Sequence, residues 1–186
     1  AEWKWDGIRV QVSAEGGLRR LFSRTGDDIS GAFPDLVEAM DFDGVIDGEL
    51  LVGRPPEWTA TFSDLQQRLN RKTVAPKMRA KYPVFVRCYD LLQLGDRDLR
   101  PLAFTERRAE LERFVATLSA DRFDLSPVVP FEDWEHLDRL RKAPPHPIIE
   151  GVMIKERRSP YVAGRPKGPW FKWKRDPYTV DAVLMY

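Results

Sequence analysis

Residues 2–11 read EWKWDGIRVQ, a lysine set between two tryptophans and followed by an aspartate-glycine pair and an arginine. In an extended strand, side chains alternate between faces, so Glu2, Lys4 and Asp6 project one way while Trp3 and Trp5 project the other. The two rings anchor the strand in a core and hold the Lys4 amine toward a cleft. Residues 170–174, WFKWK, repeat the arrangement, with Lys172 and Lys174 on one side and Phe171 and Trp173 on the other. Two aromatic-backed strands thus present three lysines to one site. Working outward from Lys4, Ile8, Val10 and Val12 alternate with Arg9, Gln11 and Ser13; after Glu15-Gly16-Gly17 a second run, 18–23, completes a β-hairpin.

Strands dominate the remainder. GVIDGELLVG (44–53), PVFVRCYDLLQL (83–94), a run near 127–131, IIEGVMIK (148–155), WFKWK and VDAVLMY (180–186) all read as strands. Helices are predicted from Pro34 through Met40 and over 63–71, with Ser63 and Gln66 as a capping box. They are also predicted over 105–119, where Leu111, Phe114, Val115 and Leu118 share a face and Thr105 caps the start, and over 133–142. Strands that mostly do not alternate with helices predict an α+β fold with antiparallel sheets.

The 186 residues suit one domain, and a chain of this size buries about 70% of the surface its unfolded form exposes. With 30 Lys+Arg against 29 Asp+Glu, any nucleic-acid surface must be local rather than global. The single cysteine, Cys88, excludes an internal disulfide, and two histidines, His136 and His146, leave no spacing for a zinc site. The chain reads as cytoplasmic, with neither a membrane span nor a signal peptide.

An amine attacks only when neutral, and an unperturbed lysine titrates near a pH of about 10.4, so a nucleophilic Lys4 needs cationic neighbours or desolvation. Lys172, Lys174 and a bound Mg²⁺ can supply that. The same two lysines suit a phosphate, and the hard carboxylates Asp47, Glu49 and Glu150 suit the metal, Asp47 and Glu49 sharing strand parity. Each feature also has a plain reading. KWDGIR serves as a strand entering a turn, DGE as a loop, EGVMIK as a buried strand with charged ends, WFKWK as a charged edge strand, and Tyr89 as a core aromatic.

Together, in this order, the residues resemble the nucleotidyltransferase superfamily of ATP-dependent DNA ligases, RNA ligases and mRNA capping enzymes, most nearly the bacterial or archaeal ATP-dependent DNA ligases. KWDGIR (4–9) is similar to the nucleophile motif, which implies that Lys4 takes the nucleotide and Arg9 contacts it. SRTG (23–26) resembles the next motif and implies Arg24 at the nucleotide or the DNA end. DGE (47–49) implies Glu49 at the ribose and metal, YDLL (89–92) implies Tyr89 stacked on the purine, and EGVMIK (150–155) implies Glu150 at the metal. WFKWK implies Lys172 and Lys174 on the α-phosphate, and Glu2 sits where the family reads the exocyclic amine of the base. Tyr89 stands where many members carry Phe.

The resemblance covers essentially the whole chain. It implies the nucleotidyltransferase (ATP-grasp-like) fold of two packed antiparallel β-sheets with flanking helices and the nucleotide between them. Residues 1–186 are then one adenylation domain, without the OB-fold or N-terminal DNA-binding domain that family members add. The implied cofactors are ATP and Mg²⁺. The implied partners are nicked double-stranded DNA and an OB-fold of the same protein, in a monomer located at the nucleoid. Local cationic runs fit a phosphate backbone: eight Lys+Arg against one acid over 155–175, including Arg157, Arg158, Arg165 and Lys167, and six against none over 65–81. RNA ligation, GTP-using capping chemistry, and a non-catalytic module that grips nicked DNA stay open as alternatives.

Overall fold

The computed structural model describes residues 1–55, 58–69, 71, 73–164 and 167–176, with nothing said of the Trp58 side chain. Arg165 and the strand expected over 180–186 lie outside the described residues. The hairpin predicted from the opening stretch forms as β2 (Ile8–Glu15) and β3 (Leu18–Ser23). These join β4 (Gly44–Arg54), β6 (Val84–Leu94) and β7 (Arg97–Asp98) in a sheet ordered β3-β2-β4-β6-β7. The short β5 (Trp58–Thr59) adds to β4, and β8 (Phe123–Leu125) adds to β6. A second, three-stranded sheet runs β1-β9-β10, from β1 (Glu2–Trp5), β9 (Ile149–Lys155) and β10 (Trp170–Lys174).

Period-two alternation decides what each face of the large sheet does. Val10, Val12, Leu50, Val84 and Val86 point into the main core, where Leu36 and Met40 from the α1 region and Leu111 and Val115 from α4 cover them. Here α1 is Pro34–Glu38 and α4 is Phe104–Val115. The residues of opposite parity, Arg9, Glu49, Leu51, Phe85 and Tyr89, face the small sheet. Leu51 and Phe85 pack with Ile148 and Trp5 into a second apolar cluster that joins the two sheets. Burying such side chains contributes about 1.5–3 kcal/mol each, so the polar residues between them are held by well-packed neighbours.

Several local expectations change. The capping box of α2 (Phe62–Gln66) is made by Thr61 and Asp64, two residues ahead of the Ser63–Gln66 pair. Thr105 lies inside α4 rather than capping it; the Glu106 carboxylate accepts from the Ala103 N–H, and the helix ends at Val115. The strand expected near 127–131 is instead β8, which pairs with β6 in parallel, so the large sheet is not purely antiparallel. Helix α3 (Pro76–Lys81) carries no buried residue and gave no apolar periodicity to read. Helix α5 (Trp134–Lys142) forms as predicted, with the Asp133 side chain accepting from His136 N–H. The β1–β9 register shifts between Lys4 and Trp5, so Asp6 leaves the strand and is exposed rather than sharing the face of Lys4. Phe171 is 56% exposed rather than buried behind its strand, while Trp173 sits half-buried with the Arg141 guanidinium 4.9 Å from its ring centroid.

Candidate nucleotide-binding site

Between the two sheets lies a cleft of about 1020 Å³. Glu2, Lys4, Arg9, Arg24, Glu49, Tyr89, Glu150, Lys172 and Lys174 all line it. The small sheet forms one wall, and its register sets two rows across three strands. Lys4, Gly151 and Lys174 lie in one row, and Glu2, Met153 and Lys172 in the next. Gly151 is required in the middle of the first row. Its φ is +151°, and a Cβ there would fall 2.2 Å from the Trp173 carbonyl oxygen. The close approach of β10 to β9 brings Lys174 toward Lys4. The Glu150 carboxylate then bridges the two amines, Lys4 Nζ donating to Oε1 and Lys174 Nζ to Oε2 at 2.6 Å. Burial alone would raise the Glu150 pKa, but the hydrogen bonds from Lys174 and Lys4 hold it below the usual carboxylate range.

The large sheet forms the opposite wall. Glu49 is pushed up to about 8, first by burial, with the charge of Glu150 acting in the same direction against the attraction of Lys4. Two carboxylates from opposite walls that repel one another across a cleft are a donor set suited to a hard divalent cation, which would relieve that repulsion. Glu49 and Glu150 therefore fit the metal role expected of them, although among the described residues no cluster of three or more His, Cys, Asp or Glu gathers. Asp47 does not join them. It is fully buried, and its carboxylate accepts from Arg9 Nη2 at 2.6 Å, Tyr161 Oη at 2.7 Å and Gln11 Nε2 at 3.3 Å. It shares the β4 face of Glu49, but those three partners already claim its carboxylate.

At the far end of the cleft, Glu2 is 4% exposed. It accepts from Lys155 Nζ at 2.8 Å, Arg108 Nη1 at 3.3 Å and Ser126 Oγ at 3.3 Å. The Lys155 amine also lies 4.3 Å from the Trp170 ring centroid, 4.8 Å from Tyr89 and 4.9 Å from Phe104. Sequence reading placed Lys155 in a surface cationic run; it is instead buried in the cleft floor. Its parity held the missed signal, since Gly151, Met153 and Lys155 share one face of β9 and the first two stand opposite Lys4 and Glu2. Arg108 and Tyr161 gave no such signal, because a helix and a loop supply them from distant sequence.

The cationic runs divide. Arg24 lines the cleft from the loop after β3, and Arg71 lines it from beyond α2. Arg157, Arg158 and Lys167 are exposed and lie outside the cleft lining. Arg68 is not a surface cation: it is fully buried, paired with Asp35 and donating to the Ala32 and Tyr82 carbonyls. Among the described residues no helix is long and apolar enough to cross a membrane.

The model of one protein family, the ATP dependent DNA ligase domain, matches residues 1–174. A probable DNA ligase of Koribacter versatilis is 33% identical over 98% of this chain and 36% of its own length. A DNA ligase of Cenarchaeum symbiosum is 34% identical over 95% of this chain and 30% of its own length. Among solved structures, mycobacterial DNA ligase D complexed with ATP and MES superposes with a TM-score of 0.72 at 30% identity, covering 93% of this chain and 53% of that one. The chain thus spans about a third of the length of these curated relatives.

Proposed function

The chain belongs to the family of ATP-dependent DNA ligase domains, and on that premise we propose that residues 1–186 form the adenylation domain of an ATP-dependent DNA ligase, with Lys4 as its nucleophile. The observation that carries the proposal is the meeting of Lys4, Glu150 and Lys174 at one point of a cleft large enough for a nucleoside triphosphate. The relative solved with ATP supports the choice of substrate.

In the proposed reaction the neutral Lys4 amine attacks the α-phosphorus in line. The Nζ–P bond forms as the bond to the bridging oxygen breaks, and pyrophosphate leaves. Glu150 holds the Lys4 amine and stands in hydrogen-bond contact to take its proton. Lys172 and Lys174 face the charge that develops on the α-phosphate oxygens. Glu49 and Glu150 would hold Mg²⁺, which when bound supplies electrostatic stabilisation of the phosphate charge. Tyr89 offers its ring to the purine, and Arg9 and Arg24 reach the rest of the nucleotide. Glu2 and Lys155 set an acceptor beside a donor. Adenine presents the matching pair, an exocyclic amine next to a ring-nitrogen acceptor, whereas guanine presents a carbonyl next to an N–H, so the pair favours ATP over GTP.

The AMP would then pass to the 5′-phosphate of nicked double-stranded DNA, gripped by Arg24, Arg157, Arg158, Arg165 and Lys167 together with an OB-fold of the same protein. The relatives' names favour DNA over RNA as the substrate. The test mixes the ATP-charged protein with a nicked duplex labelled at the 5′-phosphate. Appearance of the adenylated strand supports the reading. Transfer only to an RNA end would favour an RNA ligase, and salt-steep DNA binding without any nucleotide transfer would mark a binding module.

A further inference from the structure

A closed triangle of hydrogen bonds sits behind the cleft wall, at a residue to which the proposed chemistry gives no part. Tyr161 Oη donates to Asp47 Oδ2 at 2.7 Å and accepts from Arg9 Nη2 at 2.7 Å, while Arg9 Nη2 also donates to Asp47 Oδ2 at 2.6 Å. Asp47 is fully buried on β4, whereas the Arg9 side chain is 39% exposed and lines the cleft. Arg9 is thus the member that reaches the cleft, and the other two determine where its guanidinium points.

The loop that delivers Tyr161 is fixed without its hydroxyl. The Tyr161 N–H donates to the Arg100 carbonyl, and the Ser159 carbonyl accepts from Arg107 Nη1. The Tyr161 ring packs edge-on to Trp170, with centroids 6.4 Å apart. Backbone bonds and ring packing therefore set the place of the side chain, leaving the hydroxyl free to serve Arg9 and Asp47. An Arg9 held by Asp47 alone could swing about that single contact; a second contact on the same nitrogen fixes the fork.

We propose that Tyr161 is a positioning residue for the nucleotide, its hydroxyl locking Arg9 against Asp47 so that the guanidinium meets the bound nucleotide in a fixed orientation. This rests on the nucleotidyl-transfer reading of the same cleft. Pre-orienting Arg9 lowers the ordering cost of binding rather than the barrier to attack, so its loss appears in KM.

The experiment measures self-adenylation kinetics with ATP and Mg²⁺ for wild type, Tyr161→Phe, Arg9→Gln, the double variant and Lys4→Ala. Tyr161→Phe keeps ring and loop and removes only the hydroxyl. Its KM for ATP is expected to rise roughly tenfold, the scale of one hydrogen bond to a charged group, with kcat within about twofold. Because Tyr161 acts through Arg9, adding Tyr161→Phe to Arg9→Gln should raise KM little further. A purely structural role would instead give additive losses, or a loss in kcat, and either would overturn the proposal, as would a Tyr161→Phe KM equal to wild type. Wild type that gains no AMP overturns the nucleotidyl-transfer reading and this inference with it. Wild type that gains AMP, with Lys4→Ala inert and Tyr161→Phe unchanged, sinks the inference alone.

Discussion

Replacing Arg68 by Met should unfold the protein far more readily without touching its exposed cationic surface. Arg68 lies in a cationic run but is fully buried, with Nη2 and Nη1 donating to the Asp35 carboxylate at 2.5 and 3.0 Å and the same two nitrogens donating to the Ala32 and Tyr82 carbonyls at 2.9 and 3.0 Å. Met fills much of the volume, so the loss is chiefly electrostatic. Among the described residues Asp35, 6% exposed, would keep only Arg122 at 3.3 Å. Breaking one side of a buried pair costs about 3–5 kcal/mol because the remaining charge is left without its partner. For a domain of this size each kcal/mol shifts Tm by about 2–4 °C, so a fall of roughly 6–20 °C is expected. Urea denaturation read by circular dichroism measures it, with Asp35→Leu added as a second step. Replacing both charges should recover much of the loss, since an apolar pair of similar volume is often neutral. A single-variant loss below about 1 kcal/mol, or a double variant as unstable as the single, would refute the assignment of Arg68 to the core.

Two further outcomes bear on the cleft. In chelator-treated protein, stability should fall as pH rises. The folded state keeps a proton on Glu49 up to about 8, whereas the unfolded chain loses it near the ordinary carboxylate value, so folding binds more protons across that window. Glu49→Gln should flatten the slope in urea titrations between pH 5 and 8, and an unchanged slope would contradict the burial of Glu49. Gly151→Ala should cost about 2–4 kcal/mol through the positive φ and the collision with the Trp173 carbonyl. Because β10 carries Lys172 and Lys174, calorimetry should show ATP affinity lost with the large sheet intact; retained affinity would mean that the β9–β10 approach does not set the site.

The strands that build the cleft were legible because the residue pattern along a strand is a local property. β2 alternates apolar with polar residues, β4, β6 and β9 are short runs rich in aliphatic and β-branched residues, and β10 sets aromatics against lysines; nine of the ten residues assigned to the nucleotide or metal line one cleft, Asp47 being the exception. What failed was non-local. Asp47 has the parity of Glu49 but is claimed by Arg9 and by Tyr161, which lies 114 residues further along the chain. Arg68 looks like any surface cation until Asp35 closes over it. β8 pairs in parallel with β6 through contacts that no three-residue pattern announces. Lys155 is the instructive middle case: its strand parity pointed into the cleft, but its place at the head of a cationic run suggested solvent.

The central claim is that Lys4 is a nucleophile. Intact-protein mass spectrometry tests it most directly, on protein incubated with Mg²⁺ and either ATP or GTP, with Lys4→Ala treated identically. A gain of one AMP residue from ATP, absent from the variant and not matched by a GMP gain from GTP, is the predicted result. An AMP gain that persists in Lys4→Ala, or a GMP gain with GTP and none with ATP, would contradict it.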